Sequence, residues 1–136
     1  MTAAKLTVGL AVPPLTRTIT LTDMVAYAGA TWDWHRLHYD RDWLVTRGLA
    51  DPVVDGQLFG ALLAEALQDW LGPRAVVRRL HFRFRELVYA GETVRCGGQI
   101  TQIEGPLVTV EQRVEVIGDR PRIAVAPAGA VVELAT

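Results

Sequence analysis

Asp33 and His38 close the run Asp33-Trp34-His35-Arg36-Leu37-His38, and further on Asp55-Gly56 opens an apolar stretch. A carboxylate and an imidazole holding one water between them can do general acid–base chemistry, worth ~100- to 10,000-fold in rate. The two are treated jointly, since interacting groups titrate as a pair. A helix N-terminus supplies a second function. Its first N–H groups lack intrahelical partners and carry roughly half a unit of positive charge. Gly56 lets a substrate oxygen approach such a group closely, and loss of one oxyanion donor typically costs ~3–4 kcal/mol. The competing reading of Asp33 and His38 is a structural hydrogen-bonded pair. The pattern Asp33-x-His35-x-x-His38-x-Asp40 also has metal-ligand residue types, but it lacks a second cluster or a helical His-Glu-x-x-His form, so no metal is expected.

The elements that must position these groups are legible to different degrees. Thr22 is an N-cap candidate for a short helix, Asp23 to Ala28, after a strand near Arg17 to Leu21. The segment before that strand, Met1 to Pro14, reads as an irregular lead-in without the features of a signal peptide. Ala30 to Tyr39 has neither helical nor strand period and is crowded with aromatics and ionisable groups. Asp40 to Thr46 reads as a second short helix. Gln57 to Leu71 is the longest helix: Leu58, Phe59, Leu62, Leu63, Ala66, Leu67 and Trp70 recur at helical spacing, and Gly72-Pro73 ends it.

Beyond it the period becomes two. Leu80, Phe82 and Phe84 alternate with His81, Arg83 and Arg85 as a half-buried strand. Strands at Thr93 to Ile103, Leu107 to Ile117 and Ile123 to Leu134 follow, separated by turns at Gly105-Pro106 and Gly118-Asp119-Arg120-Pro121. A buried helix followed by an antiparallel meander is an α+β pattern, one sheet around one helix. The 136 residues fit one domain, expected to span 1–136.

Composition excludes several classes. The net charge of −1 gives no reason to expect nucleic acid or an anionic membrane surface as a partner. No run of 18 apolar residues suggests a membrane span. Cys96 is the single cysteine, so no intrachain disulfide is possible, and a reducing, cytoplasmic setting is expected.

The run Asp-Trp-His-Arg-Leu-His-Tyr-Asp-Arg-Asp at 33–42 resembles the signature Asp-x-Asn-Pro-x-His of the MaoC-like acyl-thioester hydratases and dehydratases. Val53-Val54-Asp55-Gly56 stands where that family has an apolar-apolar-His-Gly entry to its central helix. His35-Arg36-x-His38-Tyr39-Asp40 is similar to the type 2 hydroxyacyl-thioester dehydratase branch. A related branch carries Asp-Trp-His-x-x-His-x-Asp-Arg-Asp and a later Asp-Trp-x-Gly-Pro, which match 33–42 and 69–73. The resemblance covers roughly Leu15 to Leu134 and implies the hotdog fold.

It also implies a reaction: addition of water to a 2-enoyl thioester, or its removal from a 3-hydroxyacyl thioester, in fatty acid or related catabolism. Asp33 and His38 would be catalytic. Gly56 would supply the oxyanion donor, with Asp55, His35 and Trp34 on the oxyanion and substrate-binding side. No cofactor is expected; coenzyme A or phosphopantetheine enters as part of an acyl-CoA or acyl-carrier-protein substrate. The family implies side-by-side pairing, so a homodimer or higher homo-oligomer is expected. One alternative is a non-catalytic or co-catalytic partner subunit of a hetero-oligomer with another hotdog chain; the other is a hotdog thioesterase using Glu65 of the central helix.

Asp55, in place of the family's His, is the notable departure. Its carboxylate would oppose charge developing on an oxyanion unless it turns away as an N-cap. His35 is expected to support the loop more than to react. Trp32, Trp34 and Trp43 either line an acyl pocket or pack, and Tyr27 reads as core. Arg78, Arg79, Arg83 and Arg85 form either a phosphate- or carrier-binding face or a solvated strand face.

Overall fold

In the computed structural model, which describes residues 5–135, the long helix α3 runs Gly56–Leu71. Its apolar stripe does what its spacing predicts: Phe59, Gly60, Leu62, Leu63, Ala66 and Leu67 are buried. Asp55 caps the start, its Oδ1 accepting from Gln57 N–H at 3.0 Å. Gly72, at φ +86°, ends it.

The helix lies on one antiparallel sheet of strands β1 (Ala11–Thr18), β2 (Ala75–Phe84), β3 (Thr93–Glu104), β4 (Leu107–Ile117) and β5 (Arg122–Leu134). Their order is β1-β3-β4-β5-β2. The meander β3-β4-β5 forms the centre, with β1 and β2 at the edges. Inward residues of the meander, among them Val94, Cys96, Val114, Val116 and Val125, meet Phe59, Leu62 and Leu63 in one core. A second cluster joins Leu67 to Val12, Ile100, Val110 and Val132. This is the α+β, hotdog arrangement expected.

Three boundaries differ from the sequence reading. The first strand is Ala11–Thr18, not Arg17 to Leu21. Pro13-Pro14 looks like a strand breaker, but β1 is an edge strand with an irregular register between Val12 and Leu15, where missing N–H groups cost little. The part of the lead-in at residues 1–4 lies outside the described residues.

Helix α1 spans Leu21–Thr31, and its cap is Thr20, not Thr22. Thr20 Oγ1 accepts from Asp23 N–H at 3.1 Å while Asp23 Oδ2 accepts from Thr20 N–H at 2.9 Å, a reciprocal capping box. Gly29 does not stop the helix; the chain turns at Trp32, whose φ of +57° is left-handed. Helix α2, Arg41–Thr46, begins where expected, with Asp40 as cap.

β2 starts earlier than its alternating pattern suggests, at Ala75. Leu80 and Phe82 pack on the core, but Phe84 is 54 % exposed, so the half-buried reading fails at the strand's end. Among the described residues no helix is long and apolar enough to cross a membrane.

Candidate active site

Two short backbone clamps bring the distant segments together. Val53 N–H donates to Leu37 C=O at 3.0 Å, and Val53 C=O accepts from the His38 ring at 2.7 Å. Val54 N–H donates to Val88 C=O at 2.8 Å. One dipeptide therefore ties the short 3-10 helix Arg36–His38 to the sheet-side loop, immediately before Asp55 starts α3.

The Val53 clamp also decides the His38 tautomer. A carbonyl oxygen only accepts, so Nδ1 carries hydrogen and Nε2 is free to face the site. His38 Nε2 lies 3.9 Å from Asp33 Oδ2 and 3.8 Å from Asp55 Oδ2. The reactive atoms of all three side chains lie within 4.8 Å of one another. The His38 and Asp55 side chains are largely buried, at 11 % and 14 % exposure, whereas Asp33 is 44 % exposed.

The two carboxyls are in different electrostatic states. A hydrogen bond with Asp55, the Asp33–His35 backbone contact and the nearby imidazoles hold Asp33 below the usual carboxylate range. Burial, reinforced by the hydrogen bond with Asp33, pushes Asp55 up. Asp55 is thus an N-cap, but it is not turned away: Oδ1 caps α3 while Oδ2 faces the imidazole. Capping therefore does not take its carboxyl out of the site.

Gly56 is the first residue of α3, and its N–H has no acceptor among the described residues. It follows directly on Asp55, one of the three side chains of the cluster. A cleft too narrow for a water molecule, lined by Met24, Tyr27, Ala28, His38, Asp55 and Leu58, adjoins the site. It shares Tyr27 and Leu58 with an open groove of about 330 Å³ between α1 and α3, walled by Ile19, Ala26, Ala30 and Leu62, with Arg17 and Asp23 on its rim.

Tyr27, expected in the core, therefore borders the site. It shares a helix face with buried Met24 and Ala28, but α1 ends against the loop that carries Asp33. The sequence did not single out Leu58 or Arg17 for the site; only their later juxtaposition with Tyr27 marks them.

The remaining candidates are placed around this centre. His35 Nδ1 accepts from Leu37 N–H at 3.0 Å, and its ring meets Trp43 edge-on at 5.5 Å, which fixes the loop. Trp34 is 41 % exposed in an edge-to-face row between Trp32 and Tyr39, and does not line the cleft or the groove. Asp40 accepts from Arg36 and caps α2, so of the pattern at residues 33–40 only Asp33 and His38 come together, with Asp55.

Glu65 accepts from Arg17 at 3.1 Å, about 15 Å along α3 from Asp55 at 1.5 Å per residue. Arg78, Arg79, Arg83 and Arg85 are exposed, on β2 and just beyond it. Cys96 is buried, and burial pushes its thiol up to about 12.

The profile described as "MaoC like domain" matches residues 7–119. The chain is 33 % identical over 104 residues to the 3-oxo-4,17-pregnadiene-20-carboxyl-CoA hydratase beta subunit of Mycobacterium tuberculosis (strain ATCC 25618 / H37Rv); the alignment covers 76 % of this chain and 81 % of that one. Among solved structures it is similar to a chain of the ChsH1-ChsH2 complex from Mycobacterium tuberculosis, with 28 % identity and a TM-score of 0.85, covering 95 % of this chain and 98 % of that one. It is also similar to the (R)-hydratase from A. caviae involved in PHA biosynthesis, with 26 % identity and a TM-score of 0.88, covering 98 % of this chain and all (100 %) of that one.

Proposed function

The chain belongs to the family of MaoC-like domains, and from that premise we propose that it hydrates 2-enoyl thioesters or, in reverse, dehydrates 3-hydroxyacyl thioesters. The observation that carries this reading is the convergence of Asp33 and His38 Nε2 beside the free Gly56 N–H. A water placed between Asp33 and His38 loses a proton to the pair as its oxygen bonds to the β-carbon. Electrons move toward the thioester oxygen, where the Gly56 N–H and the α3 dipole oppose the developing negative charge. The α-carbon then takes a proton from an acid of the Asp33–His38–Asp55 cluster.

The scheme uses no metal or organic cofactor. The carrier, coenzyme A or a carrier protein's phosphopantetheine, is part of the substrate, and its acyl group would lie in the groove past Tyr27 and Leu58. The expected setting is cytoplasmic.

A second reading concerns assembly. The Mycobacterium tuberculosis relative is described as a beta subunit, and one of the similar structures is a two-protein complex. This chain would then be the Asp/His-bearing subunit of a hetero-oligomer with another hotdog chain, in place of a homodimer. Both β1 and β2 are sheet edges that a second subunit could cover.

The test is a panel of enoyl-CoA substrates with purified chain, following loss of the conjugated-thioester absorbance, beside Asp33→Ala and His38→Ala. Both variants should fall by at least ~100-fold. Wild-type rates in both variants would sink the mechanism. A wild type active only with a co-purified second chain would establish the hetero-oligomer.

A further inference from the structure

His38 Nδ1 is committed as a donor to Val53 C=O, so the neutral ring turns the lone pair of Nε2 to the site. Asp33 Oδ2 and Asp55 Oδ2 face that same nitrogen at 3.9 and 3.8 Å. When all three groups are deprotonated, every atom turned inward is an acceptor, and nothing in the cluster can bond to anything else in it. The Asp33 and Asp55 carboxyl oxygens also come within 4.8 Å of one another, where two like charges repel. A proton shared within the cluster relieves that repulsion.

Burial decides where that proton sits. Asp55 is the least exposed carboxyl of the two and loses most by ionising, whereas half-exposed Asp33 keeps water around its charge. The other groups facing Asp55 are His38 from the 3-10 helix and the Tyr27 ring from α1; its own helix offers only the Gln57 N–H, to Oδ1.

We propose that Asp55 is a catalytic acid: it holds the shared proton in the resting site, with Asp33 as its ionised partner, and delivers it to the α-carbon during hydration. The assignment of acid to Asp55 rests on the hydratase reading; the location of the proton does not. The step balances. Water's O–H bond breaks as its oxygen bonds to the β-carbon, and the released proton goes to the Asp33–His38 pair. The π electrons move toward the α-carbon and thioester oxygen. The Asp55 O–H bond then breaks and the proton bonds to the α-carbon, leaving Asp55 ionised. Transfer from Asp33 to Asp55, whose oxygens lie within 4.8 Å, restores the starting state.

Two carboxyls whose surroundings push their proton affinities apart are the arrangement that divides acid from base on one site. The substitution of Asp for His at this position is thereby explained. A neutral Asp55 does not repel the enolate oxygen held at the adjacent Gly56 N–H.

The experiment combines two readouts on the full chain, with Asp55→Asn as the central variant. Asn caps helices as well as Asp does, so the start of α3 is retained. The first readout is a carboxyl-carbon NMR titration of wild type, Asp33→Asn and Asp55→Asn. The expected result is that the Asp55 carboxyl stays protonated at a pH where Asp33 is ionised, and that it ionises more easily in Asp33→Asn, which removes the charge beside it. An Asp55 that titrates with the surface aspartates, the proton residing on His38, overturns the placement.

The second readout is enoyl-CoA hydration. Asp55→Asn should lose at least ~100-fold in kcat, with KM changed only a few-fold and with the alkaline limb of the pH profile gone. Equal kcat and an unchanged profile in Asp55→Asn overturn the acid role. A wild type inactive on every thioester, with the proton nonetheless found on Asp55, overturns the reaction and leaves the proton's placement standing.

Discussion

The ring of Phe84 lies over Gly56: a Cβ built on Gly56 would meet Phe84 Cζ at 2.5 Å. One turn further, Gly60 stands in the same relation to Phe82, also at 2.5 Å. The two glycines, at i and i+4, make one bare strip on α3, and the two aromatics of β2 fill it with ring centroids 5.7 Å apart. Gly56 therefore serves the close approach of β2, and under the proposed function its N–H is the oxyanion donor.

These two demands separate by mutation. In Gly60→Ala the new methyl meets Phe82, which is half-buried against the core and has little room to move. Overpacking of this kind costs about 1–3 kcal/mol. In Gly56→Ala the clash is with the far end of Phe84, which is 54 % exposed and can swing outward. The gain of roughly 1 kcal/mol in helix propensity from Gly to Ala offsets part of either cost. Urea denaturation should show Gly60→Ala clearly destabilised and Gly56→Ala near wild type. Hydration should show the reverse order, with Gly56→Ala losing at least ~10-fold in kcat/KM as the methyl crowds the oxyanion donor.

How much of this was readable in the chain depends on what fixes each feature. α3 and the meander follow from local apolar periods and from Gly-Pro and Gly-Asp turns, so their positions agree with the structure to within a residue or two. Asp33, His38 and Gly56 were found by type and spacing, and the fold brings them together. The capping box at Thr20 was also written locally, as Thr-x-x-Asp, but the β-branched run Thr18-Ile19-Thr20 gave a stronger strand signal over the same residues. Asp55 is different. Whether a cap residue faces the solvent or an imidazole is set by Val53 and Val54, whose hydrogen bonds reach Leu37, His38 and Val88. No sequence period encodes those contacts, nor the meeting of Tyr27 with Leu58.

Acid stability should depend on a pair remote from the site. Arg122 donates from Nη2 to Glu92 Oε1 at 2.6 Å and from Nη1 to Glu92 Oε2 at 2.9 Å, a two-point grip joining the start of β5 to the turn before β3. The Arg122 guanidinium holds Glu92 below its ordinary value of 4.5. A carboxyl whose folded pKa is depressed contributes stability that is fully present above the unfolded pKa and is lost as pH falls through the folded one. Unfolding free energy should therefore decline below about pH 4.5 in wild type. Glu92→Gln should lower stability by about 1.5–3 kcal/mol at neutral pH and flatten the decline. A parallel decline in both proteins would assign the acid sensitivity to other carboxyls.

Cys96 should be chemically silent in the folded protein. It lies in β3 against the core, 1 % exposed, with its thiol pushed up to about 12 by burial. The thiolate is the reactive form, and neither access nor ionisation favours it. Iodoacetamide at pH 8 should leave the native chain unmodified and label it fully in denaturant, and hydration should be unchanged after treatment of the native form. Rapid native labelling would show that β3 opens readily.

Tyr27 offers a split between wall and chemistry. Its ring lines both the cleft at His38 and Asp55 and the groove beyond, so it borders the path proposed for the acyl group. Burial and the neighbouring Asp55 and Asp33 side chains push its hydroxyl up, so it stays a neutral phenol at working pH. If the ring acts only as an apolar wall, Tyr27→Phe keeps that wall and should stay within about threefold of wild-type kcat, since surface-like changes of this size are worth under ~0.5 kcal/mol. Tyr27→Ala removes the wall and should raise KM by ~10-fold or more, with a smaller change in kcat, as expected when binding common to ground and transition states is lost. Steady-state kinetics on one enoyl-CoA distinguishes the cases. A Tyr27→Phe enzyme whose kcat falls as far as that of Asp33→Ala would place the hydroxyl in the proton transfers, and the Asp33–His38–Asp55 cluster would no longer account for them alone.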